Sequence, residues 1–264
     1  MKAVLFAIAA VAMAVEPDAR VLRLLTEDTQ MVSAIDWVRY TDSRLASRFP
    51  VSLREFLGRE TQAAKPSQIV FLGSPDAPTL VVVFGAFSPV PPVEGEEPTL
   101  LVSPEAGVLF AGEARATAAA VGAWRNAAAK PPAWASRLGE LGRDYDNWAF
   151  IRNPLPSLEK GIAPPARPRW DALRKSIEDV SLGIRFGARI ECFATATMTG
   201  FEDASAAAAL ARWLPAFAEG RGDYFTADLV PLIESFEARQ NGNRVEVRFS
   251  LAEEKIPQLG FRVD

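Results

Sequence analysis

A strict period of two runs through the second half of the chain. Val180, Leu182, Ile184 and Phe186 alternate with Ser181, Gly183, Arg185 and Gly187. After residues 187–189 the alternation resumes at Ile190, Cys192, Ala194, Ala196 and Met198. Side chains on a strand point alternately to two faces, so this pattern defines a strand pair with one apolar face. Parity fixes more. Residues opposite each other in a hairpin share a face, so the two apolar sets coincide only when Phe186 lies opposite Ile190, leaving a three-residue loop. Asp203 then offers an N-cap for an alanine-rich helix over 203–219, with Leu210, Trp213, Leu214 and Phe217 on one stripe. A hairpin with one apolar face followed by an amphipathic helix predicts an α+β fold: open-faced antiparallel sheet with helices packed on one side.

The rest of the chain supplies elements for two such units. Strands are predicted at 31–37, 68–72, 79–87, 100–102 and 108–110, with a short helix at 50–58 and an alanine-rich helix at 113–129. Gly73-Ser74-Pro75-Asp76 reads as a turn, and the proline-rich acidic stretch 88–98 as a solvated loop. Pro131-Pro132 breaks the chain. Trp134, Leu138 and Leu141 follow at helical spacing and define a bridging helix within 131–147. Beyond it come a strand at 148–152, a short helix at 170–175, and the hairpin and helix described above. A helix at 223–240 with Leu229, Leu232, Ile233 and Phe236 inward follows. Then come a turn at Asn241-Gly242-Asn243, a strand carrying Val245, Val247, Phe249 and Leu251, and a short helix at 253–259. The expected organisation is an N-terminal α+β unit at 15–130, a bridge at 131–147, and a C-terminal α+β unit at 148–264. The halves share an order of strand, helix, strands and a last strand leading into a helix, which points to a diverged duplication.

Residues 1–14 read as a secretory signal peptide. Lys2 gives the positive start, residues 3–11 the apolar stretch, and Ala12-Met13-Ala14 the small residues that a signal peptidase requires. Cleavage after Ala14 leaves a mature chain beginning at Val15, exported to the periplasm or the extracellular space. That chain carries no integral membrane segment.

The pattern from Trp148-Ala149-Phe150-Ile151-Arg152-Asn153-Pro154 through Gly183-Ile184-Arg185-Phe186-Gly187 resembles uncharacterised exported bacterial proteins with two α+β halves. That group has no assigned activity. The resemblance implies fold and export and nothing about chemistry.

Function is bounded mainly by exclusion. The chain of 264 residues has no histidine. This removes Ser-His-Asp and Cys-His nucleophile systems, histidine zinc sites and the ordinary general base near neutral pH. The single cysteine, Cys192, allows neither an internal disulfide nor a multi-thiolate metal site, and its place on an apolar strand face reads as a buried, inert thiol. A formal charge of -4 without a basic block argues against nucleic acid as a partner. Arginine outnumbers lysine 23 to 6, but the arginines are scattered.

Four constellations carry some chemical interest. Ser157 and Lys160 have the Ser-x-x-Lys spacing of penicillin-binding proteins, without the companion Ser-Asp-Asn and Lys-Thr-Gly motifs. Asp144, Asp146 and Asn147 alternate oxygen ligands but lack the glycine and distal glutamate of a calcium loop. Glu234 with Glu237, and Glu253 with Glu254, are carboxylate pairs on predicted helices, where a solvated face is the default. Trp37, Trp148 and Trp213 fall on elements expected to pack in the core. No glycine-rich phosphate loop is present. No catalytic, cofactor-binding or metal residue is assigned, and no cofactor is expected. The reading is an exported, non-catalytic binding protein whose partner is another envelope protein. The alternatives are a carrier of an apolar or amphipathic small ligand between sheet and helices, and a carboxylate- or Ser/Lys-dependent hydrolase.

Overall fold

The computed structural model describes residues 18–43, 65–74, 78–86, 93–94, 99–126, 130–152, 173, 175–187, 189–212 and 233–252. The chain divides into two compact units, Met1–Phe150 and Ile151–Asp264. Both are α+β.

The first unit holds β1 (Met31–Asp36), β2 (Lys65–Gly73), β3 (Pro78–Ala86), β4 (Val93–Glu94), β5 (Thr99–Glu105) and β6 (Val108–Glu113). β7 (Asn147–Arg152) begins in it and runs across the division. The strand order is β7-β1-β2-β3-β6-β5-β4, with antiparallel pairing from β1 to β4. Its helices are α1 (Trp37–Asp42), α2 (Ala114–Arg125) and α3 (Ser136–Asp144), with 3₁₀ turns at Val21–Leu24 and Ala133–Ala135. The Asp36 side chain caps α1 by accepting from the Arg39 amide at 3.1 Å. α2 stops at Arg125, where Asn126 turns extended, short of the predicted end at 129. The helix predicted at 50–58 lies outside the described residues.

Packing explains why these strands read as nearly continuous apolar runs. On one face Val70, Val82 and Phe110 meet Trp124 of α2, Leu138 of α3 and Trp148 of β7. Phe110 meets the Trp124 ring edge-on at 5.3 Å, and Trp134 stacks on Phe150 at 5.6 Å. On the opposite face Ile35, Ile69, Val83 and Leu109 are equally buried. A strand covered on both sides needs no alternation.

The second unit holds β8 (Ile177–Arg185), β9 (Ile190–Met198), α4 (Phe201–Ala211), β10 (Ile233–Asn241) and β11 (Arg244–Leu251). Its strand order is β10-β11-β9-β8, with antiparallel pairing throughout. The parity argument holds: Ile184 lies opposite Cys192, Leu182 opposite Ala194 and Val180 opposite Ala196. Ala204 and Ala208 of α4 pack on this face against Met198 and Val245. The Asn241-Gly242-Asn243 turn is also found, with Asn241 opposite Arg244 and Gly242 at φ 61°, a left-handed conformation that glycine adopts without strain.

Three expectations in this unit are corrected. Residues 233–240, read as the end of a helix, belong to strand β10, because β11 offers an antiparallel partner from Ile233 to Asn241, interrupted only at Glu234. The helix expected to start at Asp203 starts at Phe201 behind Gly200, and Asp203 sits in its first turn. Leu210, expected inward, is 38% exposed, while the small Ala204 and Ala208 make the contact. Trp213, Leu214 and Phe217 lie outside the described residues.

The face opposite α4 is less wet than its polar sequence implies. Asp179, Ser181, Thr197 and Ser250 are all buried there, and the Thr197 hydroxyl donates to Asp179 Oδ1 at 2.9 Å. Val180, Leu182 and Ile184 are only half-buried. Phe193 stands on the polar face between two guanidiniums, with Arg185 at 5.0 Å and Arg248 at 4.6 Å from its ring centre.

Candidate functional site

The first unit contains an open cleft of about 520 Å³. Three segments distant in sequence build it: residues 23–30, the facing ends of β2 and β3, and α2. Alanines of α2 leave room where longer side chains would fill the gap. Leu72 and Leu80 supply an apolar floor, and Arg23, Asp28 and the hydroxyls of Thr26 and Thr29 stand on the rim. Thr29 Oγ1 accepts from the Thr26 amide at 3.0 Å, which folds the loop back on itself.

Both ends of that wall are tied down. At one end Arg20 donates through Nε and Nη2 to the Asp18 carboxylate, at 3.0 and 2.7 Å, and through Nη1 to Glu105. Its guanidinium also lies 4.7 Å from the Trp124 ring centre. The hydrogen bond from Arg20 holds the Asp18 carboxyl below its ordinary range, and Asp18 in turn raises the arginine. At the other end the Gln30 amide donates to the Gly73 carbonyl at 3.1 Å. The cleft wall is therefore a short strap fixed at two points. Its groups can hydrogen-bond and neutralise charge, which suits binding.

The residues singled out in the sequence do not converge. Ser157, Lys160, Glu253, Glu254 and Trp213 lie outside the described residues. Asp144 is exposed at the end of α3, whereas Asp146 and Asn147 are buried, and Arg39 Nη1 reaches Asp146 Oδ1 at 3.5 Å. Among the described residues no group of three or more acidic or thiol side chains is placed to hold a metal ion. Glu234 and Glu237 lie on a strand instead of a helix. Glu234 sits at a register irregularity and meets Arg189 at 3.3 Å, while Glu237 pairs with Arg239. Trp148 is in the core, as expected, and Trp37 opens α1 with its ring 5.3 Å from Tyr40. The cleft itself had no motif to announce it.

Cys192 is a free, buried thiol whose pKa burial pushes up to about 12. The thiolate is the reactive form, so a thiol-reactive probe at pH 8 should leave Cys192 unmodified in the native protein and modify it fully in denaturant. Rapid labelling of the native protein would contradict this burial.

Defined by its fold, the chain is an α+β protein built on antiparallel sheet with helices layered against it. No family model matches the sequence, and no curated protein matches it. One solved structure, crystal form III of TP0453, is similar in fold, with a TM-score of 0.51 and 8% sequence identity over 90% of this chain and 96% of that one. At that identity the likeness is one of fold alone. No helix among the described residues is long and apolar enough to cross a membrane.

Proposed function

We propose that this chain is an exported envelope protein that acts by binding another envelope protein, without catalysis of its own. The observation that carries this reading is α4. Beside the polar Glu202 and Ser205, its exposed residues include two large apolar side chains, Phe201 at 65% in the first turn and Leu210 at 38% near the end. Large apolar side chains left exposed are positions where a partner would add burial. The proposed export rests on residues 1–14, with cleavage after Ala14.

The cleft favours a second reading, a carrier of a small amphipathic ligand, since it lies between α2 and the sheet with an apolar floor and a polar rim. The proposed duplication is supported by strand order. β2-β3-β6-β5 and β8-β9-β11-β10 both run first, second, fourth, third.

Crosslinking in the intact envelope of the producing cell, followed by native mass spectrometry, tests the main reading. A stoichiometric protein partner on a chain beginning at Val15 is the expected result. Recovery of the chain alone, or with only a small molecule bound, would remove it. Ser157→Ala should leave partner capture unchanged, and a penicillin-type acylating probe should give no adduct on the parent. An adduct that disappears in Ser157→Ala would instead make Ser157 a nucleophile.

A further inference from the structure

The outer edge of β10 carries a pattern that matches itself. Among the described residues β10 has one neighbouring strand, β11. In a two-residue hairpin the closing pair, here Asn241 and Arg244, is hydrogen-bonded. Asn241, Arg239 and Glu237 therefore direct their backbone groups at β11, and Gln240, Ala238 and Phe236 direct theirs outward. The Ala238 carbonyl is consistent with this, accepting from Arg212 Nε at 3.3 Å. A carbonyl has a second lone pair, so this contact does not exclude another donor.

We propose that this edge pairs antiparallel with the same edge of a second copy of the chain, on a two-fold axis through Ala238. Charge selects that register. Within the unit Glu237 lies opposite Arg248, and Arg239 opposite Glu246. An axis through Ala238 places Glu237 opposite Arg239 of the second copy, and Arg239 opposite its Glu237. The signs then alternate across the joined sheets: Arg248, Glu237, then Arg239 and Glu246 of the second copy, with the reverse order in the neighbouring row. An axis through Phe236 would set Glu237 opposite Ser235, and one through Gln240 would set Arg239 opposite Asn241, so neither matches charges. An axis between residues would bring outward backbone groups against inward ones and make no ladder. Glu237 and Arg239 are both exposed and pair with each other within the strand, and the joint would exchange that contact for two across the axis. This inference does not depend on the envelope reading. It uses the strand edge, and a heterologous partner on α4 is a separate event.

Sedimentation equilibrium of the full mature chain provides the test. The parent should dimerise. Glu237→Arg and Arg239→Glu should each raise the dimer dissociation constant roughly tenfold by setting like charges opposite one another. An equimolar mixture of the two variants should regain parent-like dimers, because one carries two positive and the other two negative charges at the joint. Ala238→Cys gives an independent readout, since only a residue on the axis can form a disulfide with itself on oxidation. A monomeric parent, a dimer indifferent to both charge reversals, a mixture that fails to recover, or an Ala238→Cys chain that does not crosslink would each overturn the proposal.

Discussion

Replacing Trp148 by alanine should cost the first unit about 3–5 kcal/mol of stability. The side chain is 1% exposed at the start of β7, in the cluster that joins strand residues to α2 and α3. Its removal deletes a large apolar body and leaves a cavity that the surrounding strands and helices cannot close without shifting. The Trp148 indole N–H has no hydrogen-bond partner among the described residues. Trp148→Phe removes that unpaired donor together with part of the ring, so it should cost only about 1–2 kcal/mol. Urea denaturation followed by far-ultraviolet circular dichroism reads both without relying on tryptophan emission. An alanine variant within about 1 kcal/mol of the parent would mean that Trp148 does not sit in a packed core.

Two Gly→Ala substitutions should move stability in opposite directions. Gly85 lies in β3 opposite Pro66, where the register between β2 and β3 shifts. A Cβ there would stand 2.3 Å from the Lys65 carbonyl oxygen and 2.8 Å from the Pro66 Cα, both backbone atoms. Neither can rotate away. The Gly85 amide also donates to the Gly107 carbonyl at 3.0 Å, so the strand is held on that side too. Gly85→Ala is expected to lose about 2–3 kcal/mol. Gly122, inside α2, has nothing within 4 Å of an added Cβ. Gly122→Ala should gain about 0.5–1 kcal/mol, because alanine has the higher helix propensity and loses less backbone freedom on folding. Thermal melts of the two variants should lie on opposite sides of the parent. Equal melting points would contradict the close approach of Lys65 to Gly85.

What the sequence revealed and what it hid follow from range. The β8–β9 register was legible because parity is a local property: apolar positions on both arms of one hairpin had to share a face. Leu138 and Leu141 marked α3 in the same way, with Trp134 in the 3₁₀ turn that precedes it. β10 was misread because Leu229, Leu232, Ile233 and Phe236 have helical spacing, while the strand state depends on β11 as partner. Asp203 was a plausible cap, yet the chain becomes helical two residues earlier, at Phe201, and Thr199 reaches Asp203 Oδ2 at 3.2 Å. The buried Asp179 and Thr197 were invisible for a related reason. Their alternation gives a polar face, but burial of that face is decided by tertiary structure. The cleft is the extreme case, since its three walls come from residues 23–30, two strand ends and α2, with no shared motif.

The strand order has a consequence for assembly. β2–β3, β5–β6, β8–β9 and β10–β11 join strands that are neighbours in sequence, whereas β3–β6 and β9–β11 join strands that are not. A hairpin closes over a few residues, while a long-range pairing must first overcome the entropy of a larger loop. Each unit is therefore expected to form as two ribbons that zip together along a late seam, with β7 joining β1 as a further long-range pairing in the first unit. Until that seam closes, β3 offers the backbone of Leu80, Val81, Val82, Val83 and Phe84 to any strand that arrives, with no charge among the five side chains. A nascent chain emerging N-terminus first holds that edge bare until β6 is made. That interval is one in which the chain is vulnerable to aggregation.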